Sequence, residues 1–422
     1  MKFKEANMKI GRLSFGIGDR FAHQGKAQLG AMIKAKQAGV DITPVWNKSH
    51  REHTIIKTSP GSVRAEADNA VKQLSWRGNY FVDADHINLN NVDLFIKSSD
   101  FFTLDVADYI GKKADDGEIN AFLQKYKKFA GRLNIDGIKQ PIEITADLIT
   151  KIANKFLWAV GEAGKIYRRI EAAKGKGNFI TEVSMDETNQ PQSPIEMLFI
   201  LAAIAGQEIP AQTIAPKFTG RFNKGVDYVG NIAQFEKEFN EDLAVIVFAV
   251  KEFGLPENLK LSIHSGSDKF SIYAPINRAL KKFDAGLHIK TAGTTWLEEL
   301  IGLAVAGGDG LKIAKEIYAG AFGRFDELCG PYATVIDIDR NKLPTLQTVA
   351  GWDSEKFTNT VRHNQKCGDY DRNVRQLLHV GYKVAAEMGR DYLNALEKHE
   401  DIIAGCVSEN IFNRHIKPLF LE

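Results

Sequence analysis

Residues 259–291 read LKLSIHSGSDKFSIYAPINRALKKFDAGLHIKT, and their pattern of apolar residues is the strongest indication of the fold. Short apolar runs at 259–264 and 287–291 predict two β-strands, and the residues between them, 275–283 in particular, predict a helix. A strand, a helix and a second strand in this order form a βαβ unit, whose two strands lie parallel in one sheet. The same alternation extends toward the N-terminus.

Six further strand candidates precede these two. The eight candidates are residues 10–17, 40–47, 80–85, 101–105, 178–186, 212–217, 259–264 and 287–291. Helical patterns separate most of them; residues 231–253, for example, carry apolar side chains at helical spacing and charges on the opposite face. An open doubly wound sheet can be built from the same units, but a count of eight favours closure. We therefore predict a (β/α)8 TIM barrel.

Two segments exceed what a regular barrel needs. Residues 114–176, between the fourth and fifth strand candidates, are too long for one crossover and predict a helical insertion. Residues 329–422 predict a C-terminal extension packed on the barrel, with one strand-like run at 333–339. Because no low-complexity linker divides the chain, we expect residues 1–422 to form a single catalytic domain.

Charge and cysteine content exclude several classes of protein. The 55 basic and 53 acidic residues are mixed along the chain, which argues against a nucleic-acid partner. The three cysteines lack CxxC spacing and predict reduced thiols. No apolar run is long enough for a membrane span, and residues 1–9 do not resemble a signal peptide. We expect a cytoplasmic protein, and the sequence leaves a homo-oligomer open.

Ionisable residues collect at the C-terminal ends of the strand candidates, where TIM-barrel enzymes carry their active sites. Keeping charges there without chemistry would be costly, since a buried charge is unfavourable unless it is paired. Side-chain alternation points His288 and Lys290 toward the barrel axis, together with Glu182. It also predicts that Asp83 and Asp85 share one face and that His86 lies on the other.

Imidazole and carboxylate groups that converge are the usual ligands of Zn, Mn, Fe, Co or Ni. A lone histidine is more often structural, but two on adjacent strands beside an acidic strand favour a divalent metal ion as cofactor. The predicted ligand set is one carboxylate and three imidazoles, namely Asp186, His264, His288 and His379. Glu182 and Asp85 are reserve ligands. The HREH motif at 50–53 lacks the HExxH spacing, and we expect it in an exposed loop.

The loops after the last two strands predict an anion site. They contain SGS at 265–267 and AGTT at 292–295, and TIM barrels often bind phosphate between these two loops. A carboxylate fits the same backbone N–H groups, although each loop alone is more simply a tight turn. The residues expected to bind the substrate are Arg20, Asp85, Arg221, Ser265, Lys269 and Thr294.

Eight further stretches carry a resemblance to a known family. They are FGIGDRF (15–21), DADH (83–86), DFF (100–102), DET (186–188), APKFTGRFNKG (215–225), HSGSDKF (264–270), KTAGTTW (290–296) and RQLLHVGYK (375–383). With these motifs the chain resembles the tagaturonate/fructuronate epimerases, also known as tagatose 4-epimerases. The resemblance spans nearly the whole chain and implies a metal-dependent enzyme that acts on a ketohexuronate or a free ketohexose.

The resemblance sets a chemical problem, because the inverted carbon is not next to the ketone. Its hydrogen is not acidic, so enolisation cannot invert it, whereas retro-aldol cleavage and re-addition can. We nominate Asp105 or Glu187 as the base, with Lys217 and Lys290 as electrophilic or proton-shuttling partners. An ion pair with the barrel carboxylates is equally compatible with either lysine.

Other readings of the sequence stay open. A metal-dependent aldolase or phosphosugar isomerase would use the same barrel, and a Schiff base at Lys217 or Lys290 is a less favoured mechanism. A sugar-sensing barrel without catalytic activity would have little use for so many inward charges. Oxidation and re-reduction would need NAD, but FGIGDRF lacks the third glycine of a dinucleotide fingerprint.

Overall fold

The computed structural model describes residues 8–291 and 293–422. Its strands are β1 (Leu13–Ile17), β2 (Ile42–Ser49), β3 (Phe81–Ile87), β4 (Phe101–Asp105), β5 (Gly131–Leu133), β6 (Ile142–Ile144), β7 (Ile180–Ser184), β8 (Thr213–Ala215), β9 (Lys260–Ile263) and β10 (Leu287–Lys290). Eight of them close a parallel barrel in the order β1-β10-β9-β8-β7-β4-β3-β2. The predicted TIM barrel is confirmed, and each strand candidate overlaps one barrel strand.

Helices surround the barrel and build the C-terminal part of the chain. The α-helices are α1 (Gly25–Gln37), α2 (His50–Ile56), α3 (Pro60–Gln73), α4 (Val92–Phe95), α5 (Asp116–Tyr126), α6 (Ala146–Lys174), α7 (Pro194–Gly206), α8 (Ile232–Phe253), α9 (Phe270–Phe283), α10 (Thr294–Ala306), α11 (Gly308–Gly323), α12 (Phe325–Cys329), α13 (Leu346–Ala350), α14 (Ser354–Val361), α15 (Arg372–Val380), α16 (Tyr382–Met388), α17 (Arg390–Lys398) and α18 (Glu400–Glu409). Short 3-10 turns lie at Ala107–Tyr109, Lys127–Phe129, Gly330–Tyr332 and Arg340–Lys342, and a π-helical segment at Asn410–Leu421.

The barrel interior is layered from apolar to polar. Val45, Phe81, Phe101 and Ile180 form a buried cluster with Ile10 near the N-terminal ends of the strands. Because side chains alternate with a period of two, the next inward positions on these strands lie closer to the C-terminal end. Those positions are polar, so the layering directs the ionisable residues to one mouth of the barrel.

The segment between β4 and β7 contains more than the predicted helices. α6 contacts β4 and α7 and therefore occupies the place of an ordinary barrel helix. Its start is capped by Thr145, whose side chain accepts a hydrogen bond from Leu148 N. The part inserted before it holds α5 and the antiparallel pair β5–β6, which was not predicted.

The C-terminal extension packs on the barrel helices, with α18 against α1 and α10. The strand-like run predicted at 333–339 is wrong, because no strand forms there. Its backbone groups are satisfied instead by other partners: the Gln376 side chain bonds both Asp337 N and Asp337 O at 2.9 Å, and Lys224 N donates to Val335 O.

The HREH motif is a helix, not the exposed loop expected from the sequence. It begins α2, where Ser49 and Glu52 form a reciprocal capping box. His53 is buried, and its Nδ1 lies 2.8 Å from Thr58 Oγ1. The Ser-x-x-Glu spacing at 49–52 was therefore the informative signal in this stretch.

All three cysteines are free, as predicted. Among the described residues, no helix combines the length and apolarity that crossing a bilayer demands. Residues 1–7, in which no signal peptide was expected, and Ala292 of the predicted anion loop lie outside the described residues. Cytoplasmic localisation, oligomeric state and the single-domain organisation stay predictions.

Candidate active site

The side chain of Lys290 on β10 is the centre of the polar network inside the barrel. Its Nζ lies 2.8 Å from both Asp83 Oδ2 and Asp85 Oδ1, and 3.0 Å from Glu182 Oε1. Thr103 Oγ1 is 2.6 Å from the same nitrogen. These partners come from the neighbouring strands β3, β4 and β7, so Lys290 ties them to β10 across the barrel.

This network makes Lys290 a fixed cation. Burial lowers its pKa, but the contacting carboxylates outweigh burial and raise the pKa well above its usual value. A lysine held in this way is not a Schiff-base nucleophile. Burial raises the pKa of Asp83 to about 7 despite the contact with Lys290. For Asp85, Lys290, His86 and His264 together outweigh burial and lower the pKa to about 2.

His264 follows β9 and extends the network toward the barrel mouth. Its Nε2 is hydrogen-bonded to Glu182 Oε1 at 2.7 Å. Its Nδ1 lies 3.0 Å from Asp186 Oδ1, yet this buried nitrogen makes no hydrogen bond within the described chain. Two ligand atoms that are each about 2.1 Å from one metal ion lie roughly 3.0 Å apart in an octahedral site and roughly 3.4 Å apart in a tetrahedral one. The spacing of this pair therefore fits ligands that share a cation.

His86 lies in the same site, which corrects the prediction that it would point to the other face of β3. Its φ of 51° is in the left-handed region, and the β3–β4 register shifts between Ala84 and Ile87. The irregular backbone breaks the strict alternation of side chains. As a result the His86 ring lies 4.9 Å from that of His264, and its Nδ1 is 3.2 Å from Asp105 Oδ2.

Two groups of side chains have the composition and spacing of metal ligands. In the first, ligand atoms of His86, Asp186 and His264 all lie within 4.8 Å of one another. The second combines His86 with Asp105 and Glu187 at the same spacing. Two imidazoles and a carboxylate form a donor set suited to Zn and similar divalent ions. His86 therefore joins the predicted ligands Asp186 and His264.

The charge balance of the site also favours a cation. Asp83, Asp85 and Glu182 surround the ammonium group of Lys290. Two further carboxylates, Asp105 and Asp186, contact His86 and His264. Burial lowers the pKa of His264, but Asp186 and Glu182 raise it to about 9 overall. Asp85 and Asp105 likewise raise the pKa of His86 well above its usual value, against the effect of burial. The carboxylates around both imidazoles therefore stabilise a positive charge at this place. A bound divalent ion can supply that charge instead of the added protons.

A cavity of about 420 Å³ opens above His264 and Asp186. This volume is in the range of small-molecule sites. Its wall includes four residues predicted from the sequence, namely Glu187, Lys217, Arg221 and Ser265. Ala333, Thr334 and Val335 of the C-terminal extension close one side, so the extension is part of the site.

His288 and His379 are not brought together with His264. His288 does face the barrel interior, as predicted, but its partners are Ser14 Oγ at 2.9 Å and the ring of Phe101. Burial lowers its pKa to about 3, so it is a neutral imidazole below the metal-ligand groups. His379 is buried on α15.

The location of His288 gives a first prediction. Replacing His288 by Leu removes one buried hydrogen bond at similar volume and should lower the free energy of unfolding by about 1–2 kcal/mol. The metal content of the purified protein should not change, and mass spectrometry of bound metal measures it. Loss of metal from H288L would restore His288 to the ligand set.

The remaining sequence candidates have different surroundings. Lys269 is fully buried, and its Nζ donates to the carbonyl oxygens of Asn223, Val226 and Ser267. These three hydrogen bonds hold the 223–226 loop and occupy the ammonium protons of Lys269, whose role in binding a substrate stays a prediction. Arg20 and Thr294 are buried near the start of α10. Asp85 contacts Lys290.

Comparisons with known proteins show which family and which fold the chain shares. The sequence of residues 3–419 matches the family model of the tagaturonate epimerases. The chain is 28% identical over 426 residues to the tagaturonate/fructuronate epimerase of Thermotoga maritima, covering 97% of this chain and 81% of the relative. A glycerol complex of the fructuronate-tagaturonate epimerase UxaE from Cohnella laeviribosi has a TM-score of 0.80 at 24% identity, over 98% of this chain and 82% of that one. The native crystal structure of that protein gives 0.79; at this identity both inform on the fold alone.

Proposed function

The chain belongs to the tagaturonate epimerase family and is an isomerase of the epimerase class, and we propose that it interconverts tagaturonate and fructuronate with a divalent metal ion. The observation that carries the metal proposal is the group of His86, Asp186 and His264 beneath the cavity. His264 Nδ1 is a buried donor atom without a hydrogen bond, as expected of a ligand. We assign these three residues as the metal ligands.

The proposed reaction inverts C4, with the ketone carbon counted as C2. A base takes the proton of the C4 hydroxyl, the C3–C4 bond breaks, and its electron pair ends on the ketone oxygen as an enediolate. The aldehyde half turns about its C4–C5 bond, and C3 adds to the opposite face of C4. The base then returns the proton. A bound divalent metal supplies the Lewis acidity that stabilises negative charge on the ketone half.

Glu187 is our choice for the base. It is exposed and lines the cavity, and no hydrogen bond occupies its carboxylate in the described chain. Asp105 is held by His86 Nδ1 and by the N–H of Ala107, at 3.2 and 3.1 Å. A carboxylate on the second nitrogen of a ligand histidine orients the ring. We therefore assign Asp105 to positioning His86.

Single substitutions separate these two roles. Glu187→Gln should lower kcat by roughly 10²–10⁴-fold and leave metal affinity unchanged, because it removes the base. Asp105→Asn should weaken metal binding by about 10–100-fold, with most of kcat recovered at saturating metal. Metal titrations and steady-state kinetics of both variants provide the check. A kcat that survives E187Q but is lost in D105N at saturating metal would reverse the assignment.

The rim of the cavity favours an acidic substrate. Lys217, Arg221 and Lys224 line it, and no ion pair engages Lys217 or Lys224 in residues 8–291 and 293–422. Cationic rims concentrate anions and speed their association. A ketohexuronate carries one carboxylate, whereas a neutral ketohexose gains nothing from this field. We infer that the uronate is the preferred substrate.

The assay for this function uses metal-stripped protein returned to single divalent metals. Tagaturonate and fructuronate are supplied separately, and chromatography follows conversion in each direction. Metal-restored interconversion is the expected result. No conversion with any metal would contradict the proposal, and turnover of phosphorylated ketoses instead would point to an aldolase or phosphosugar isomerase.

The retro-aldol route makes a separate prediction in heavy water. Since the C4–H bond is never broken, the product formed in D2O should carry no deuterium at C4. Nuclear magnetic resonance of the product detects this directly. Deuterium at C4 would refute retro-aldol cleavage while leaving the epimerase activity itself untouched.

A further inference from the structure

The mouth of the barrel has two chemically different sides. Carboxylates and ligand histidines occupy the β3, β7 and β9 side, as described above. On the β1 and β2 side, several buried nitrogens make no hydrogen bond in the part of the chain that the structure describes. They are Arg20 Nε and Nη1 and Asn47 Nδ2, with His379 Nδ1 behind them. Folded proteins leave few such groups, so a cluster of buried donors calls for an acceptor.

Arg20 is the strongest of these donors. Its side chain is only 6% exposed, and its guanidinium stacks on the Tyr382 ring with 4.1 Å between guanidinium carbon and ring centroid. Glu52 Oε1 lies 3.3 Å from Nε without forming a hydrogen bond. The planar group is therefore held in one orientation while Nη1 keeps its hydrogen-bonding capacity.

Nη1 of Arg20 points at the N-terminus of α10. Gly293 is the N-cap of this helix, with a φ of 88°, and a Cβ atom added to it would lie 3.0 Å from Nη1 and would collide with His379. α10 has neither a side-chain cap nor an acidic residue in its first turn. The start of a helix carries partial positive charge and presents backbone N–H groups to anions. Two independent anion-seeking features thus meet at Gly293.

The neighbouring histidine adds no negative charge to this place. His379 packs against both Gly293 and Gly225, and Gly225 adjoins Lys224 of the cavity wall. Burial and the nearby cations Arg20 and Lys224 lower the pKa of His379 well below its usual value. His379 is therefore neutral.

We propose that Arg20 and the N-terminus of α10 form the subsite for the substrate carboxylate. This inference rests on the proposed function, since it names the part of the site that distinguishes a hexuronate from a neutral sugar. It also gives the carboxylate end an anchor during catalysis. The aldehyde half formed on C3–C4 cleavage carries the carboxylate, so binding at Arg20 retains that half while it turns.

The cations at the cavity rim are less suited to this role. Arg221 is 48% exposed, whereas Arg20 is only 6% exposed. An exposed lysine or arginine contributes little to the binding of a single anion because water screens the charge. We assign the rim to attracting the anion and Arg20 to binding it.

The test compares two unreactive probes on the metal-loaded enzyme. Galactonate carries a carboxylate and galactitol is its neutral counterpart, and calorimetry gives the ratio of their Kd values. The wild type should bind galactonate more tightly by about 10- to 100-fold, as expected for a buried charge-assisted contact. Arg20→Met should bring this ratio close to one by weakening galactonate alone. Arg169→Met, which alters an exposed arginine paired with Asp93, should retain the wild-type ratio.

Arg20→Lys provides the second variant, because a buried methionine can impair folding. Lysine keeps the charge but loses the fork of donors, so we expect a ratio between those of the wild type and R20M. A wild-type ratio near one, or an unchanged ratio in both Arg20 variants, would overturn the subsite. If Lys217→Met, and not the Arg20 variants, brings the ratio of the two Kd values close to one, the carboxylate binds at the rim of the cavity. The calorimetry uses unreactive probes and therefore does not depend on turnover. A failure of the epimerase assay can thus be distinguished from a failure of the proposed subsite.

Discussion

Replacement of His264 by alanine is expected to abolish metal binding and to lower the interconversion rate by roughly a thousandfold or more, which corresponds to about 4 kcal/mol of lost transition-state stabilisation. His264 contributes one of the three clustered ligand atoms and contacts both Asp186 and Glu182. Without it, His86 and Asp186 alone cannot hold a divalent ion at the affinity of a three-ligand site.

The fold should tolerate this change, which makes the result interpretable. Glu182 keeps its contacts with Lys290 and Thr103 when His264 is absent. H264A and the matched variant H288L are compared by bound metal, kcat and urea unfolding. Full metal content in H264A would contradict the ligand assignment, whereas equal loss of metal in both variants would indicate a general effect on the barrel.

The second large effect is expected at Lys290. Lys290→Met leaves Asp83, Asp85 and Glu182 buried without their cation, and removing one partner of a buried ion pair costs about 3–5 kcal/mol of unfolding free energy. Activity should fall with it, because the carboxylates that surround the ligand histidines lose their fixed geometry. Urea unfolding of the stripped protein measures the loss without interference from metal.

Lys260→Met is the matched control for this variant. Lys260 is also buried in the barrel, but within residues 8–291 and 293–422 its ammonium group has hydrogen bonds only to the carbonyl oxygens of Gly11 and Arg12. Burial lowers its pKa to about 7, so a smaller electrostatic loss follows its removal. A stability loss in K290M no greater than that in K260M would show that the carboxylate network does not depend on Lys290.

The hydrophobic pattern was sufficient to predict the barrel and, where the strands are regular, which side chains face inward. Lys290, Glu182 and His288 all point to the interior as the alternation of their strands requires. The alternation of side chains does not indicate, however, how far along the barrel axis an inward residue lies. His288 precedes Lys290 by one inward position and therefore bonds to Ser14 rather than reaching the metal-ligand groups.

His86 was not predicted as a candidate metal ligand, and the reason is local. His86 enters the site because of its left-handed backbone and the shifted β3–β4 register, and neither feature has a sequence signal in a non-glycine residue. Lys269 donates to backbone carbonyls of a distant loop, and the sequence has no signal for such partners. By contrast, the capping box at Ser49 and Glu52 was visible in the sequence and would have identified α2.

The proposed metal-dependent interconversion is tested most simply by titrating the stripped protein with a single divalent metal. Bound metal and the rate of tagaturonate–fructuronate interconversion are followed together. We predict no interconversion without metal and a rate that rises linearly to a break at one equivalent per chain, with both responses absent in H264A. Interconversion by the metal-free protein, or full binding of metal without any gain in rate, would show that the activity does not depend on a bound metal ion.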